Sequence, residues 1–144
     1  MVGIGNRDGG DDAVGPYIID KLKQLGLRDI EMLDVGIAPE NFTDVIKKKH
    51  PETVVLIDAI DMGISLGKIR RVKKDHIGEM HISTHGIPLS VIIKYLETFV
   101  SSVILIGIQP DQMYGEMSET VRNAADKLVM KICLKDVENI SYLE

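Results

Sequence analysis

The sequence predicts an α/β fold, a three-layer α/β/α arrangement on a mostly parallel sheet of about five strands with one antiparallel edge strand. Strand-like apolar runs alternate along the chain with segments in which apolar residues recur every three or four positions. No internal repeat, low-complexity linker or change of composition divides the 144 residues. A chain of this length fits one domain, so residues 1–144 are expected to form a single domain.

The first half of the chain is predicted to contain three strands and two helices. A helix over residues 13–25 follows from one apolar stripe, formed by Val14, Ile18, Leu22 and Leu25. Residues 54–57 are four consecutive apolar residues, the pattern of a central strand that is buried on both faces. The other elements predicted here are a short strand over 1–4, a strand over 30–34 and a helix over 39–49.

The second half is predicted to add two strands and two helices. Residues 68–73, KIRRVK, are interpreted as an edge strand, because basic side chains blunt the exposed edge of a sheet. Ser118 is the expected N-cap of a last helix over residues 119–134. The remaining elements are a helix over 88–99 and an apolar strand over 103–108.

Composition and charge exclude several classes of function. The formal net charge is −5, and nucleic-acid binding requires a basic surface, so no nucleic-acid partner is expected. No apolar run has the length of a membrane helix, and the first residues lack the features of a signal peptide, so no membrane association is expected. The single cysteine, Cys133, forms no internal disulfide and indicates a reducing, cytoplasmic compartment.

The turn after the first strand is the first candidate for a site, because open α/β sheets bind ligands beyond the carboxyl ends of their strands. Residues 3–15, GIGNRDGGDDAVG, have nearly the glycine spacing of a dinucleotide-binding turn. Asp8 stands at the third glycine position, and Asp11 and Asp12 stand where a phosphate would bind, so a nucleotide-binding enzyme is disfavoured. One of the two adjacent aspartates is expected to cap the helix, and the other could face the cleft.

Asp58 and His85 are the other candidates. Asp58 ends the buried run VVLI, where an acidic residue needs a reason to sit, although it could also be a turn-forming aspartate. His85 precedes a predicted helix, although most isolated histidines are ordinary surface residues. Two carboxylates and an imidazole would suit a divalent metal such as nickel or zinc. No H-E-x-x-H or G-x-S-x-G motif is present, and Cys133 is interpreted as a packed apolar residue.

Five segments in order resemble the hydrogenase maturation protease family, over a range from Gly3 to about Leu134. They read GIGN…DD, DVGIAPEN, VVLIDAIDMG, STHGIPLS and LIGIQP. The resemblance is closest to the branch that serves hydrogenases of the formate-hydrogenlyase type. It implies an endopeptidase that removes a C-terminal extension from the precursor of the nickel–iron hydrogenase large subunit after nickel has been inserted.

The resemblance also implies the residues of the site. The metal-contacting positions of the family correspond to Asp12, Asp58 and His85, which are candidates both for recognising nickel and for catalysis. The nickel is expected to be carried by the precursor, without a tightly bound metal in the free protein. The loop over residues 34–39 borders the cleft in the family and is expected to contribute to substrate choice. The expected partner is the large-subunit precursor, and a monomer is expected.

One alternative function and one departure from the family pattern remain. A divalent-metal carrier or accessory module without catalysis is the alternative, because carboxylates in a cleft would bind a cation in either case. Family members usually have several more apolar residues before the GIGN turn, whereas only Met1 and Val2 precede Gly3 here. The first strand is therefore expected to be shortened, which a misassigned start would explain.

Overall fold

The protein is described by a computed structural model that covers residues 1–78 and 86–144. Within these residues, five strands form one sheet in the order β2-β1-β3-β5-β4. They are β1 (Val2–Ile4), β2 (Leu33–Gly36), β3 (Thr53–Ala59), β4 (Ile69–Val72) and β5 (Ser102–Ile108). Neighbouring strands are parallel except for β4 and β5, which pair antiparallel. The predicted mostly parallel sheet with an antiparallel edge strand is confirmed.

The helices connect these strands and cover both faces of the sheet. They are α1 (Val14–Gln24), α2 (Thr43–Lys48), α3 (Lys74–Ile77), α4 (Leu89–Leu96) and α5 (Glu119–Cys133), with 3-10 turns at Gly10–Ala13, Pro39–Phe42 and Val137–Asn139. Ser118 caps α5 as predicted, since its hydroxyl accepts a hydrogen bond from the backbone N–H of Val121 at 3.4 Å. No helix in the described part of the chain is long and apolar enough to cross a membrane.

Two apolar cores lie on opposite faces of the sheet. On one face, α1 and α5 pack together, with Ile18 and Leu128 among the fully buried side chains. On the other face, α2, α3 and α4 contribute to the second core, which contains Leu56 and Leu96. The side chains of β3 alternate between the two cores, so β3 is the predicted central strand buried on both faces. Burial of each such apolar side chain contributes roughly 1.5–3 kcal/mol to the stability of the fold.

The second strand begins three residues later than the predicted range of 30–34. Leu33 is the first residue of β2, because its backbone N–H bonds to the carbonyl of Met1 at 2.9 Å and so begins the parallel pairing with β1. Ile30 and Met32 are partly buried and pack instead against the core beneath α1 and α5. Apolar side chains before the strand therefore pack against the core although their residues are not part of the sheet.

A tight turn carries the chain from β1 into α1. Gly5 has a φ of 145°, and its N–H bonds to the carbonyl of Gly36 at 2.9 Å, which ties the turn to the end of β2. A Cβ on Gly5 would stand 1.8 Å from the carbonyl oxygen of Asp12. The closeness of the two ends of this turn therefore requires glycine at position 5.

A side chain at position 5 is predicted to destabilise the protein. Gly5→Ala should lower the free energy of unfolding by about 3 kcal/mol or more, because the backbone conformation is strained for alanine and the new methyl group overlaps Asp12. Gly26→Ala is the matched control, since Gly26 also has a positive φ but its Cβ would meet nothing within 4 Å. Urea unfolding compares the two variants, and equal losses would contradict the role given to the overlap.

Candidate active site

A crevice is expected between β1 and β3, where the chain connections diverge. The helix after β1 covers one face of the sheet, whereas α2, which leads into β3, covers the other. Such a switch point opens a space at the carboxyl ends of the two neighbouring strands, and ligands of open α/β sheets bind there. The residues just beyond Ile4 and at the end of β3 are therefore the first to consider.

Asp58 lies at the end of β3 and is fully buried, with 0% of its surface exposed. Its neighbours Ile57 and Ala59 pack in the core beneath α1 and α5, so alternation along the strand directs Asp58 toward the face covered by α2 and α4. Its partner on β5 is Gly107, where a Cβ would stand 3.0 Å from the sulfur of Met62 and 3.2 Å from Ile60. The strand therefore holds an acidic group in the interior, at the edge where the crevice opens.

Asp12 reaches the same edge from the turn after β1. It belongs to the 3-10 turn Gly10–Ala13, which packs against β3, and only 7% of its surface is exposed. Its Oδ2 accepts a hydrogen bond from the backbone N–H of Asn6 at 2.9 Å, which orients the carboxylate within the turn. Asp12 and Asp58 thus both lie at the carboxyl end of the β1–β3 pair.

His85, the third predicted site residue, lies outside the described residues, as does His81. Within residues 1–78 and 86–144, no group of three His, Cys, Asp or Glu side chains is arranged to hold a metal ion. The three-residue set of Asp12, Asp58 and His85 therefore remains a prediction. The residue that follows His85, Gly86, lies beside the side chain of Glu40 from the loop after β2.

Asp11 is a structural residue, although it does not cap α1. The helix N-terminus has no side-chain cap, so the expected capping role of one aspartate is wrong. Asp11 is instead fully buried and accepts hydrogen bonds from the backbone N–H groups of Asp111, Gln112 and Ser118 at 2.8, 3.0 and 2.7 Å. The hydroxyl of Ser118 adds a fourth hydrogen bond at 2.9 Å. Asp11 therefore fastens the loop between β5 and α5 to the turn that carries Asp12.

Arg7 fixes the outer side of the same turn. Its guanidinium donates two hydrogen bonds to Asp20 of α1, at 2.7 and 3.0 Å, and bonds to Asp34 of β2 at 2.7 Å. The hydrogen bonds that Arg7 donates to Asp20 and Asp34 raise the pKa of Arg7 further above its usual value. In return, the hydrogen bond from Arg7 lowers the pKa of the Asp20 carboxyl. These ion pairs are exposed and orient the turn more than they stabilise the fold.

Gln109 is a residue of the site edge that the sequence analysis missed. It directly follows β5 and is buried, and its Oε1 accepts a hydrogen bond from the backbone N–H of Met62 at 2.7 Å. Its amide also donates to Asp61 at 3.0 Å. Asp61 in turn accepts a hydrogen bond from the backbone N–H of Gly63 at 3.1 Å. The sequence did contain one indication of this position, because Gln109 is a polar residue directly after the apolar run LIGI.

The side chains at this edge are better suited to binding a cation, or to accepting a proton, than to binding a phosphate. Two buried carboxylates, Asp12 and Asp58, would repel an anion, and in a poorly solvated crevice their field on a cation is strong. Cys133 lies at the far end of α5, partly buried against the core, which agrees with its predicted role as a packing residue. The crevice therefore offers carboxylates for binding a metal or activating water.

Comparisons with known proteins cover nearly the whole chain in sequence. A sequence model described as HycI: Hydrogenase maturation protease matches residues 16–135, a range that contains Asp58 and His85 and begins after Asp12. The chain is 33% identical over 132 residues to the hydrogenase 3 maturation protease of Escherichia coli K12. This match covers 90% of the chain and 85% of that protein.

Solved structures share the fold. The solution structure of the endopeptidase HycI from Escherichia coli has a TM-score of 0.88 at 30% identity, covering 99% of this chain and 94% of that one. The crystal structure of a [NiFe] hydrogenase maturation protease HycI from Thermococcus kodakarensis KOD1 has a TM-score of 0.83 at 32% identity, covering 94% and 90%. The similarity therefore extends to the arrangement of the sheet and its helices.

The position of Asp11 predicts a large and specific loss of stability on its removal. Asp11→Ala leaves three partly buried backbone N–H groups and the Ser118 hydroxyl without their acceptor and should lower the free energy of unfolding by on the order of 3 kcal/mol. Asp8→Ala, which removes an exposed carboxylate from the same turn, should change it by less than about 0.5 kcal/mol. Chemical denaturation checks both variants, and similar effects would show that the four hydrogen bonds of Asp11 are not needed.

Proposed function

The chain belongs to the hydrogenase maturation protease family and is a peptidase, and we propose that it processes the precursor of a nickel–iron hydrogenase large subunit. It removes a C-terminal extension from this precursor once nickel has been inserted. The cytoplasm is the proposed compartment, in keeping with the single cysteine, and the monomer is the proposed active form.

The observation that carries this proposal is the placement of two buried carboxylates at the switch point of the sheet. Asp12 and Asp58 come from different parts of the chain, and the fold keeps both at the carboxyl edge despite the cost of burying charge. Functional sites are where such costs are usually found. A crevice with this charge supports recognition of a cation at the end of a protein segment.

In this proposal, nickel is part of the substrate and tells the peptidase that the precursor is loaded. Asp12, Asp58 and His85 engage the nickel that the precursor carries. Carboxylate and imidazole ligands bind nickel adequately without the soft thiolates that would hold it tightly. The metal therefore stays with the hydrogenase after the cut, and the peptidase needs no tightly bound metal of its own.

The same carboxylates have the chemistry needed for peptide hydrolysis. A carboxylate at the crevice takes a proton from water, the water oxygen attacks the scissile carbonyl carbon, and the proton passes to the amine that leaves. Cys133, at the far end of α5, is not placed to act as a nucleophile on this edge. The loop over residues 34–39 begins in β2 beside the opening turn, which supports its proposed part in substrate choice.

Cleavage is predicted to depend on nickel in the precursor. The protein is incubated with nickel-loaded and nickel-free forms of the large-subunit precursor, and the loss of the C-terminal extension is followed by mass spectrometry. Only the loaded form should be cut, because the nickel completes the interaction with the site. Equal cleavage of both forms contradicts nickel recognition. Tight nickel binding by the free protein without cleavage of any precursor favours the alternative of a metal carrier.

Substitution of the proposed site residues is predicted to abolish processing without unfolding the protein. Asp12→Asn keeps an oxygen that can accept the hydrogen bond from Asn6 but loses the negative charge. His85→Ala removes the imidazole. Both variants should lose cleavage of the loaded precursor while their circular dichroism stays unchanged, and Asp8→Asn serves as the control because Asp8 is exposed. Retained activity in either variant removes that residue from the site.

A further inference from the structure

Glu40 is an acidic residue at the carboxyl edge of the sheet, and it is not among the residues proposed to contact nickel. It lies in the 3-10 turn Pro39–Phe42, directly after β2. One of its carboxylate oxygens, Oε2, is enclosed and has no hydrogen-bond partner within residues 1–78 and 86–144. An enclosed acceptor without a donor is costly, and native structures rarely keep one without a reason.

The side chain of Glu40 points toward the segment that precedes α4. Its other oxygen, Oε1, lies 3.7 Å from the position that a Cβ on Gly86 would take, close to the start of α4. The turn that carries Glu40 follows β2, on one side of β1, whereas α4 leads into β5, on the far side of β3. The contact between Glu40 and Gly86 therefore links the segment after β2 to the segment before α4, at the carboxyl edge of the sheet.

Two ordinary explanations for this carboxylate are not supported. The turn is closed without this carboxylate, because the backbone N–H of Asn41 bonds to the carbonyl of Ala38 at 3.1 Å and the hydroxyl of Thr43 donates to the carbonyl oxygen of Glu40 at 3.4 Å. Asp12, Asp58 and Glu40 do not form a group that could hold a metal ion, since no such group of three occurs among the described residues. The remaining role is contact with a molecule that enters the crevice.

We propose that Glu40 is a substrate-binding residue whose carboxylate accepts a hydrogen bond from an N–H group of the precursor segment bound in the crevice. This inference rests on the proposed function, because it requires a peptide substrate at this edge. Glu40 as a residue is only partly buried, so rotation of its side chain brings the oxygen to the opening. A segment with a well-placed N–H gains a charge-assisted hydrogen bond, whereas a segment without one leaves the acceptor unsatisfied.

The test measures steady-state cleavage of the nickel-loaded precursor by Glu40→Gln and Glu40→Met. Both variants should raise KM by about tenfold or more and leave kcat within about twofold, because an interaction made in the bound state is lost. Their Tm should stay the same or rise by a few degrees, because an enclosed, unsatisfied charge has been removed. Glu52→Gln, at an exposed position just before β3, is the control and should change neither value.

The outcomes separate this proposal from the proposed function. An active wild-type protein whose Glu40 variants keep the wild-type KM would overturn the role of Glu40 and leave the proposed function intact. A lower Tm in both variants would overturn it too, since the carboxylate would then be stabilising the free protein. A wild-type protein that cleaves no loaded precursor contradicts the proposed function itself. The increase in KM becomes smaller at high salt if the donor on the precursor is a Lys or Arg side chain. It stays the same if the donor is a backbone amide.

Discussion

The carboxylate of Asp11 is the interaction on which the geometry of the crevice depends. It is buried without exposure to solvent, and four donors from the β5–α5 loop compensate for that burial. A buried charge is tolerated only when its hydrogen bonds are complete, so the loop and the opening turn must keep their relative positions. Because Asp12 is the next residue, the position of a proposed site residue is set by a structural one.

The glycines of the opening turn serve this packing. Gly5 lets the start of the turn lie against the carbonyl of Asp12, and Gly10 lies where a Cβ would stand 2.5 Å from the carbonyl oxygen of Tyr114. Their spacing resembles that of a dinucleotide-binding turn because both connect a strand to a helix through a tight bend. The charge of the side chains at the bend then decides the ligand, and aspartates there favour a cation over a phosphate.

The crevice therefore presents two kinds of acidic group. Asp12 lies in the 3-10 turn and Asp58 on β3, both buried, which suits the metal contact proposed for them. Glu40 lies on a neighbouring turn with an oxygen that has no donor among the described residues, which suits a contact formed on binding. In the proposed function, separate acidic groups would then contact the metal and the peptide segment of the precursor.

The sequence by itself determined the order of the elements apart from the short helix α3, which was not predicted. It also determined the central position of β3, the antiparallel edge strand, the cap at Ser118 and the acidic character of the opening turn. These follow from local patterns: consecutive apolar residues, helical periodicity, basic edge residues and turn chemistry. The start of β2 was misplaced, because apolar residues such as Ile30 serve the core outside the sheet and periodicity does not separate the two cases.

Only the tertiary structure decided what the polar residues of the edge do. Asp11 and Asp12 are adjacent in sequence and chemically the same, yet one bonds to a loop about 100 residues away and the other to the N–H of Asn6 in its own turn. The roles of Gln109 and Glu40 likewise depend on the hydrogen-bond partners that the folded chain does or does not bring to them. Long-range hydrogen bonds are set by packing between distant segments, and a local pattern of residue types does not contain them.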